Sequence, residues 1–317
     1  MLTLARRLAW GAAIGMMVVL LMGATVTKTG SSMGCGRTWP LCNGQFIPRY
    51  AFETAIEFSH RLVTSIEGLL LVGACVAAFR FRRQLPELKL LIPLTIFTLL
   101  LQSGMGAAAV VWPQEPAVLA LHFGISLSAL ASVYLMARVL AEGVDRPPRN
   151  DAAVPAGFRR LMWGTLLAIT GIAYLGAFVR HTNSQLACYT WPLCNGEVWP
   201  GLSGQIGIAF GHRLAALAGV VLLAAMAFWA RRLRAVRPDL WRIAVVAVAL
   251  VVVQSLAGAL VIETRLSYVA TMIHTLVMAL LFSAIADGTR LVLSQPQSSS
   301  RAVEESSSAM GAPAPAR

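Results

Sequence analysis

The chain has 317 residues, of which 57% are hydrophobic and only 13% charged, a balance that excludes an ordinary water-soluble globular protein. Its net charge of +12 would suit a nucleic-acid-binding protein, but the basic residues lie in short loops between apolar stretches rather than on one face of a soluble domain. The composition therefore predicts a membrane protein and argues against a nucleic-acid partner.

Eight apolar stretches are long enough to cross a bilayer, which takes about 20 residues of helix. In chain order they are Leu8–Thr27, Glu57–Phe79, Lys89–Val111, Val118–Leu140, Leu161–Val179, Ile208–Ala230, Trp241–Ile262 and Val269–Val292. The first stretch follows Arg6 and Arg7 as a signal peptide would, but it has a counterpart in the middle of the chain, where no signal can lie. We therefore predict an all-α membrane protein with eight transmembrane helices.

The basic residues indicate how these helices are oriented. Most of the 26 lysines and arginines fall on the side of the two termini. Those expected in loops on the opposite side are Lys28, Arg37, Arg49, Arg180 and Arg265. Because basic loops stay on the inner side of a membrane, we predict that both termini are cytoplasmic. The Ser-, Pro- and Ala-rich stretch 294–317 is predicted to be a disordered tail.

The two halves of the chain repeat one another. Thr38–Gly44 and Thr190–Gly196 both read TWPLCNG, and the strings His-Arg-Leu and Gln-Ser-x-x-Gly-Ala recur at an offset of 152 residues. Before the TWPLCNG loop the offset is 153, so the second loop is one residue shorter. Four helices in each copy give both copies the same orientation, with a pseudo-twofold axis along the membrane normal. We predict two pseudo-symmetric four-helix bundles, 1–144 and 159–293, joined by a cytoplasmic linker, 145–158.

Four histidines occupy equivalent positions in the two copies. His60 and His122 are 62 residues apart, as are His212 and His274, and each falls about one turn inside the outer end of its predicted helix. Polar residues inside a membrane helix are costly and usually functional, and imidazole is a common axial ligand of haem iron. We interpret each pair as a bis-histidine haem site, in preference to interhelical hydrogen bonding by single histidines.

The two copies differ beside the first histidine of each pair. Glu57 lies three residues before His60 on the same helical face, whereas the second copy has Ala209 there. A carboxylate beside a metal ligand can act as a general base or stabilise positive charge, although an acid also suits a helix start. We therefore expect chemistry in the first copy and electron transfer in the second. Glu67, one heptad past His60, suits a proton path or a simple buried hydrogen bond equally.

An arginine follows the first histidine of each pair, Arg61 in one copy and Arg213 in the other. A guanidinium group binds carboxylates in a two-pronged geometry, so haem propionates are candidate partners. Extension of the side chain to the membrane interface is an equally good interpretation. The fifth histidine, His181, has Lys28 as its counterpart in the repeat and is expected at the edge of a loop.

Four of the five cysteines lie in the two outer loops of the repeat. Because the outer compartment permits disulfides, we predict the bonds Cys35–Cys42 and Cys188–Cys194. Either bond can hold its loop as a lid over the histidines, and the first pair suits redox or electrophilic participation equally well. Cys75 stands alone in the second helix and is expected to pack as a small apolar residue.

With these residues in view, the chain resembles the haem A synthase family over nearly its whole length, up to about Val292. The resemblance rests on the eight spans, the duplicated cysteine loops and three histidine elements: Glu57-x-x-His60-Arg61, Gly211-His212-Arg213, and the later His122 and His274. It implies the oxidation of a ring methyl of haem O to the formyl group of haem A. Successive hydroxylations, with oxygen from water, would give a geminal diol that loses water.

The resemblance also implies roles for the candidate residues. His60 and His122 would hold the substrate haem, and Glu57 would assist deprotonation or stabilise a cationic intermediate. His212 and His274 would ligate a haem b cofactor. The family further implies a multi-pass protein of the bacterial inner membrane that accepts haem O from haem O synthase. It admits a homo-oligomer and leaves the electron acceptor open.

Three other functions are open on the residues alone. A bis-haem electron carrier such as a cytochrome b would use both histidine pairs but would not need Glu57. An outer-face thiol oxidoreductase would use the cysteine pairs, although such enzymes favour the closer Cys-x-x-Cys spacing. A transporter would account for the parallel repeat but would leave the histidine pairs unexplained.

Overall fold

The computed structural model describes residues 1–48, 51–112, 115–147 and 149–293. Within this part of the chain no strand is present, and eight helices are long and apolar enough to cross a membrane. They are α1 (Leu2–Lys28), α2 (Phe52–Phe79), α3 (Leu88–Val111), α4 (Pro116–Glu142), α5 (Ala156–His181), α6 (Gly204–Arg232), α7 (Pro238–Glu263) and α8 (Tyr268–Val292). The predicted all-α fold with eight spans is confirmed. The tail 294–317 and Arg49 lie outside the described residues.

Local sequence signals account for several helix ends. Pro116 and Pro238 are the first residues of α4 and α7, where a missing amide hydrogen costs nothing. Ser267 caps α8 by accepting the Ala270 amide at 3.2 Å. Gly143 ends α4 with a φ of 79°, a conformation that glycine adopts without strain.

Several helices begin earlier than the apolar stretches predict, which changes the depth of the histidines. The helix α2 begins at Phe52 rather than Glu57, so His60 lies eight residues after its first residue. His122 lies six residues after the start of α4. The expectation of one turn was too shallow, because the helices continue into the polar interface, where hydropathy no longer marks them.

Each half of the chain closes four helices into a ring with the same pattern of contacts. In the first half α1 packs against α2 and α4, and α3 packs against α4 and α2. In the second half α5 packs against α6 and α8, and α7 packs against α8 and α6. The two histidine-bearing helices stand diagonally across each ring and hardly touch one another. Each ring can therefore carry a group between its diagonal helices, as cofactor-binding bundles do.

The helices α1, α4, α5 and α8 form the contact between the two halves. Fully buried alanines on α4 and α8, including Ala129, Ala137 and Ala279, let these helices approach closely. At the end of the bundle where α4 and α8 terminate, Arg290 of α8 pairs with Glu142 of α4 at 2.5 Å. Because a buried ion needs its partner, this pair ties the halves together at that end.

Candidate functional site

The four repeat histidines lie in two pairs, one inside each helical ring. His60 of α2 and His122 of α4 belong to the diagonal helices of the first ring, and His212 of α6 and His274 of α8 belong to those of the second. The second pair repeats the offsets of eight and six residues from the helix starts. The Nδ1 atom of every one of these rings is buried without a hydrogen-bond partner among the described residues. The Nε2 atom of His274 lies 3.2 Å from the Gln254 side-chain amide. Buried polar atoms are normally satisfied, so an unsatisfied Nδ1 atom at four equivalent positions suits a group that binds there.

A glycine lies against each of the four imidazole rings. A β-carbon at these glycines would stand 2.9 to 3.5 Å from the facing Cε1 atom. The pairs are Gly23–His60, Gly106–His122, Gly176–His212 and Gly258–His274. Glycine lets a helix backbone approach the ring closely, so each histidine is seated against the preceding helix. Gly106 and Gly258 belong to the duplicated Gln-Ser-x-x-Gly-Ala string, so the repeat marked their positions while their role needed the structure.

Glu57 is buried in the first half, with 4% of its surface exposed. One carboxylate oxygen accepts the Cys35 amide hydrogen at 2.9 Å, and the other accepts the Arg61 guanidinium at 2.5 Å. The acid therefore connects the outer loop to α2 three residues before His60. A carboxylate held by two donors has a defined orientation.

Both arginines are engaged by the outer loops. Arg61 donates to the carbonyl oxygens of Thr38 at 2.7 Å and Leu41 at 2.9 Å. Arg213 makes the equivalent bond to Thr190 at 2.8 Å. The interaction that pins each loop over its histidine pair is thus a guanidinium–carbonyl cluster, which sequence reasoning missed. Propionate binding by these arginines stays a prediction.

The two loops differ at one bond of this cluster. The second terminal nitrogen of Arg61 donates to Glu57, whereas that of Arg213 donates directly to the Cys188 carbonyl at 2.7 Å. The buried Ala209 of α6 stands where Glu57 stands in α2 and offers no side-chain acceptor, so Arg213 can donate to the Cys188 carbonyl instead. The second copy therefore holds its loop without an acid, so loop attachment alone does not require one.

The predicted disulfides, Cys35–Cys42 and Cys188–Cys194, are both present, and all four cysteines are buried. Cys75 is buried and unpaired in α2, as expected. Each bond closes a short loop, with sequence separations of seven and six residues. The first loop rests on the start of α2, where the Thr54 hydroxyl donates to the Gly34 carbonyl at 2.7 Å. This packing supports a covering role for the loops.

Two further residues singled out in the sequence are not members of the histidine pairs. Glu67 is buried in α2, two turns past His60, and packs against Gly15 of α1. His181 is the last residue of α5, in keeping with its expected place at a loop edge. The first site thus combines two imidazoles, an oriented carboxylate, an arginine and a disulfide loop, and the second has the same parts except the carboxylate.

Comparisons with known proteins agree with this arrangement. The family model described as Cytochrome oxidase assembly protein matches residues 49–286. Heme A synthase of Symbiobacterium thermophilum is 41% identical over 264 residues, which cover 82% of this chain and 86% of that protein. The Heme A synthases of Alkalihalophilus pseudofirmus and Geobacillus kaustophilus are each 38% identical, over 88% and 89% of this chain and 94% and 90% of their own lengths. The chain therefore belongs to the cytochrome oxidase assembly protein family.

Proposed function

We propose that this protein is a haem A synthase, a membrane oxidoreductase that converts a ring methyl of haem O to the formyl group of haem A. The observation that carries the proposal is a duplicated histidine pair with an oriented carboxylate in only one copy. Relatives named Heme A synthase, aligned over most of both chains, support the same conclusion.

In this proposal the first half is the substrate site, where His60 and His122 hold haem O. The second half is a resident cofactor site, where His212 and His274 ligate haem b. Haem b, when bound, supplies a one-electron carrier between the substrate and an external acceptor. Each of the four imidazole rings has an unsatisfied Nδ1 atom and rests on a glycine of the preceding helix, which we call its glycine seat. Both features fit a flat group that is held between diagonal helices.

Glu57 is the proposed catalytic residue. Oxidation of a methyl carbon with oxygen from water releases protons at each two-electron step, and a positioned carboxylate can accept them or stabilise positive charge at the reacting carbon. The amide of Cys35 and the guanidinium of Arg61 hold the carboxylate in one orientation, three residues before His60. The second half is proposed to lack this chemistry because Ala209 cannot accept a proton.

The outer loops have a proposed role in controlling water and haem access. Arg61 and Arg213 pin the two loops through carbonyl oxygens, and a disulfide closes each loop. A covered site lets polar groups act more strongly on the substrate than they would in bulk water. Should haem propionates reach these arginines, they would share the guanidinium groups with the loop.

The proposed setting is the bacterial inner membrane, with both termini in the cytoplasm. The excess of basic residues on the side of the termini supports this orientation. Haem O synthase is the proposed delivery partner, because haem O is too apolar to travel freely through water. Reporter fusions at both ends of the chain test the orientation, and co-purification with haem O synthase tests the partner.

The function is tested by replacing Glu57 and extracting the haems from purified protein, produced with and without a source of haem O. Glu57→Gln should lower haem A formation by about 100-fold or more, the usual contribution of a general base. The haem b spectrum of the second half should persist. Glu53→Gln is the matched control, since Glu53 is an exposed acid of the same helix. Normal haem A formation by Glu57→Gln would remove its catalytic role and favour a bis-haem electron carrier.

The thiol oxidoreductase alternative has one observation in its favour, the hydrogen bond between the Cys35 amide and Glu57. That alternative predicts purified protein without a Soret band and with a disulfide that cycles during turnover. A Soret band together with haem A in the extract would exclude it as the main activity.

A further inference from the structure

Glu67 is a buried acid that the proposed chemistry does not use. Only 4% of its surface is exposed, and its Oε1 atom has no hydrogen-bond partner among the described residues. A carboxyl group inside a membrane helix is costly unless something pairs with it. An unsatisfied carboxyl oxygen on the histidine-bearing helix therefore points to a polar partner outside the described part of the chain.

The first half makes room for this side chain, and the second half does not. The Glu67 carboxyl occupies the space that a β-carbon on Gly15 would need, so glycine at that position of α1 is what lets it lie there. In the second copy Gly219 stands at the position of Glu67 and Ala168 at that of Gly15. The side chain of Ile172 covers Gly219, within 2.8 Å of where a β-carbon would stand. The same place is thus polar in the first ring and apolar in the second.

The position of Glu67 relative to His60 suits contact with the edge of a bound macrocycle. Seven residues separate them, so both lie on the same face of α2, with Glu67 about 10 Å deeper along the helix. Helical side chains lean toward the N-terminus, which for Glu67 means back toward the level of His60. Both residues also lie over glycines of the same neighbouring helix, Gly23 and Gly15 of α1.

We propose that Glu67 binds the side-chain hydroxyl of haem O and makes the first site select haem O over haem b; this inference rests on the proposed function. Haem O carries a hydroxyethylfarnesyl group where haem b carries a vinyl group, so a hydroxyl is the polar feature that separates the two. A carboxyl group can donate to or accept from a hydroxyl. The second half, with an apolar surface at Gly219, suits the vinyl group of haem b.

The alternative for Glu67 is a proton path. A relay group needs hydrogen-bonded neighbours on both sides to pass a proton on, and the free Oε1 atom lacks one on the protein side. Recognition of a hydroxyl by contrast needs one unsatisfied polar atom, and Oε1 of Glu67 is such an atom. Sites that hydrogen-bond a substrate hydroxyl also discriminate strongly against analogues that lack it, because the polar group is then left unpaired.

The test measures haem affinity rather than activity. Full-length protein that retains haem b in its second half is titrated in detergent with haem O or with additional haem b. Binding to the first half is followed by Soret absorbance. Glu67→Leu should weaken the binding of haem O to the first site by about tenfold and leave the binding of haem b there unchanged. Glu67→Gln should keep most of the preference, because an amide still bonds a hydroxyl. Cys75→Val, which alters another buried residue of the same helix, is the matched control.

Each outcome decides between the explanations. Equal weakening for both haems would assign Glu67 to packing, and unchanged binding with lowered haem A formation would assign it to proton transfer; either result overturns the inference. If Glu67→Leu does not fold, seen as loss of the second-half haem b spectrum, the comparison of Glu67→Gln with Glu67→Ala decides in the same way. Wild-type protein that forms no haem A would refute the proposed function itself. Wild-type activity with no effect of Glu67 on haem choice refutes this inference alone.

Discussion

The two halves of the molecule share a scaffold, and two of the differences between them place an acid in the first half only. Both rings have the same helix contacts, the same histidine offsets, the same glycine seats and the same disulfide loops. Both of these differences lie on α2 and α6: Glu57 of the first copy aligns with Ala209 of the second, and Glu67 aligns with Gly219. At the later histidine, Gln254 lies 3.2 Å from the Nε2 atom of His274, whereas the equivalent Gln102 donates to the sulfur of Met16. These two acids of the first histidine helix are therefore present in one copy only, while the later histidines differ in their contact with the preceding helix.

This comparison separates structural requirements from chemical ones. Arg213 reaches the Cys188 carbonyl directly, whereas Arg61 reaches the first loop partly through Glu57. Because a loop of nearly the same sequence is held without an acid, attachment of the loop does not by itself account for the acid of the first copy. An internal repeat thus serves as its own control, with both copies in one chain and one membrane.

The largest expected effect is the loss of one haem site at a time. Outer-shell changes cost metal sites 10–100-fold in affinity, so removal of the ligand itself in His212→Ala should cost at least about 100-fold and abolish the resident haem b band. His60→Ala should leave that band intact and remove haem O binding. Pyridine haemochrome spectra of the two purified variants make the measurement. Loss of haem b from His60→Ala alone would contradict the assignment of cofactor and substrate to separate halves.

A smaller effect is expected from opening the outer loops. Bonds that close loops of this length stabilise a fold by about 2 kcal/mol. Cys188→Ser with Cys194→Ser and the equivalent first-half double variant should therefore lower thermal stability similarly if both loops are lids. Thermal unfolding in detergent, followed by helical circular dichroism, provides the comparison. A first-half variant that keeps its stability but loses haem A formation would instead assign redox chemistry to that disulfide.

The smallest effect is expected at the glycine seats. A β-carbon at Gly176 would stand 2.9 Å from the His212 ring, against 3.4 Å for Gly23 and His60. Gly176→Ala should therefore cost about 1 kcal/mol through overpacking and shift the haem b signal in electron paramagnetic resonance. Gly23→Ala should leave that signal unchanged, because it touches only the first site. A shift with Gly23→Ala as large as that with Gly176→Ala would show that the two halves are coupled through the histidine seats.

The eight membrane spans, the internal repeat and the disulfide partners could all be predicted from the sequence alone. Apolar length reports a membrane helix without reference to any other part of the chain, and a duplicated string shows equivalent positions by simple comparison. The same reasoning misjudged the depth of the histidines. The helix α2 begins at Phe52, but its first turn contains polar residues, so hydropathy places the start too late. It also missed the attachment of Arg61 and Arg213 to the loops. Every residue has a backbone carbonyl, so the residue types do not show which carbonyl accepts a hydrogen bond.

What the sequence determined by itself is the plan of the protein: two copies of a four-helix unit, each with a histidine pair, and an acid in one copy only. The tertiary structure decided which atoms meet across that plan. The contact of Gly23 with His60, the seat of Glu67 on Gly15 and the Arg290–Glu142 pair all join residues that are far apart in the chain. Hydropathy and repetition are local properties of a sequence, whereas a buried carboxyl oxygen without a partner becomes visible only when every neighbouring helix is in place.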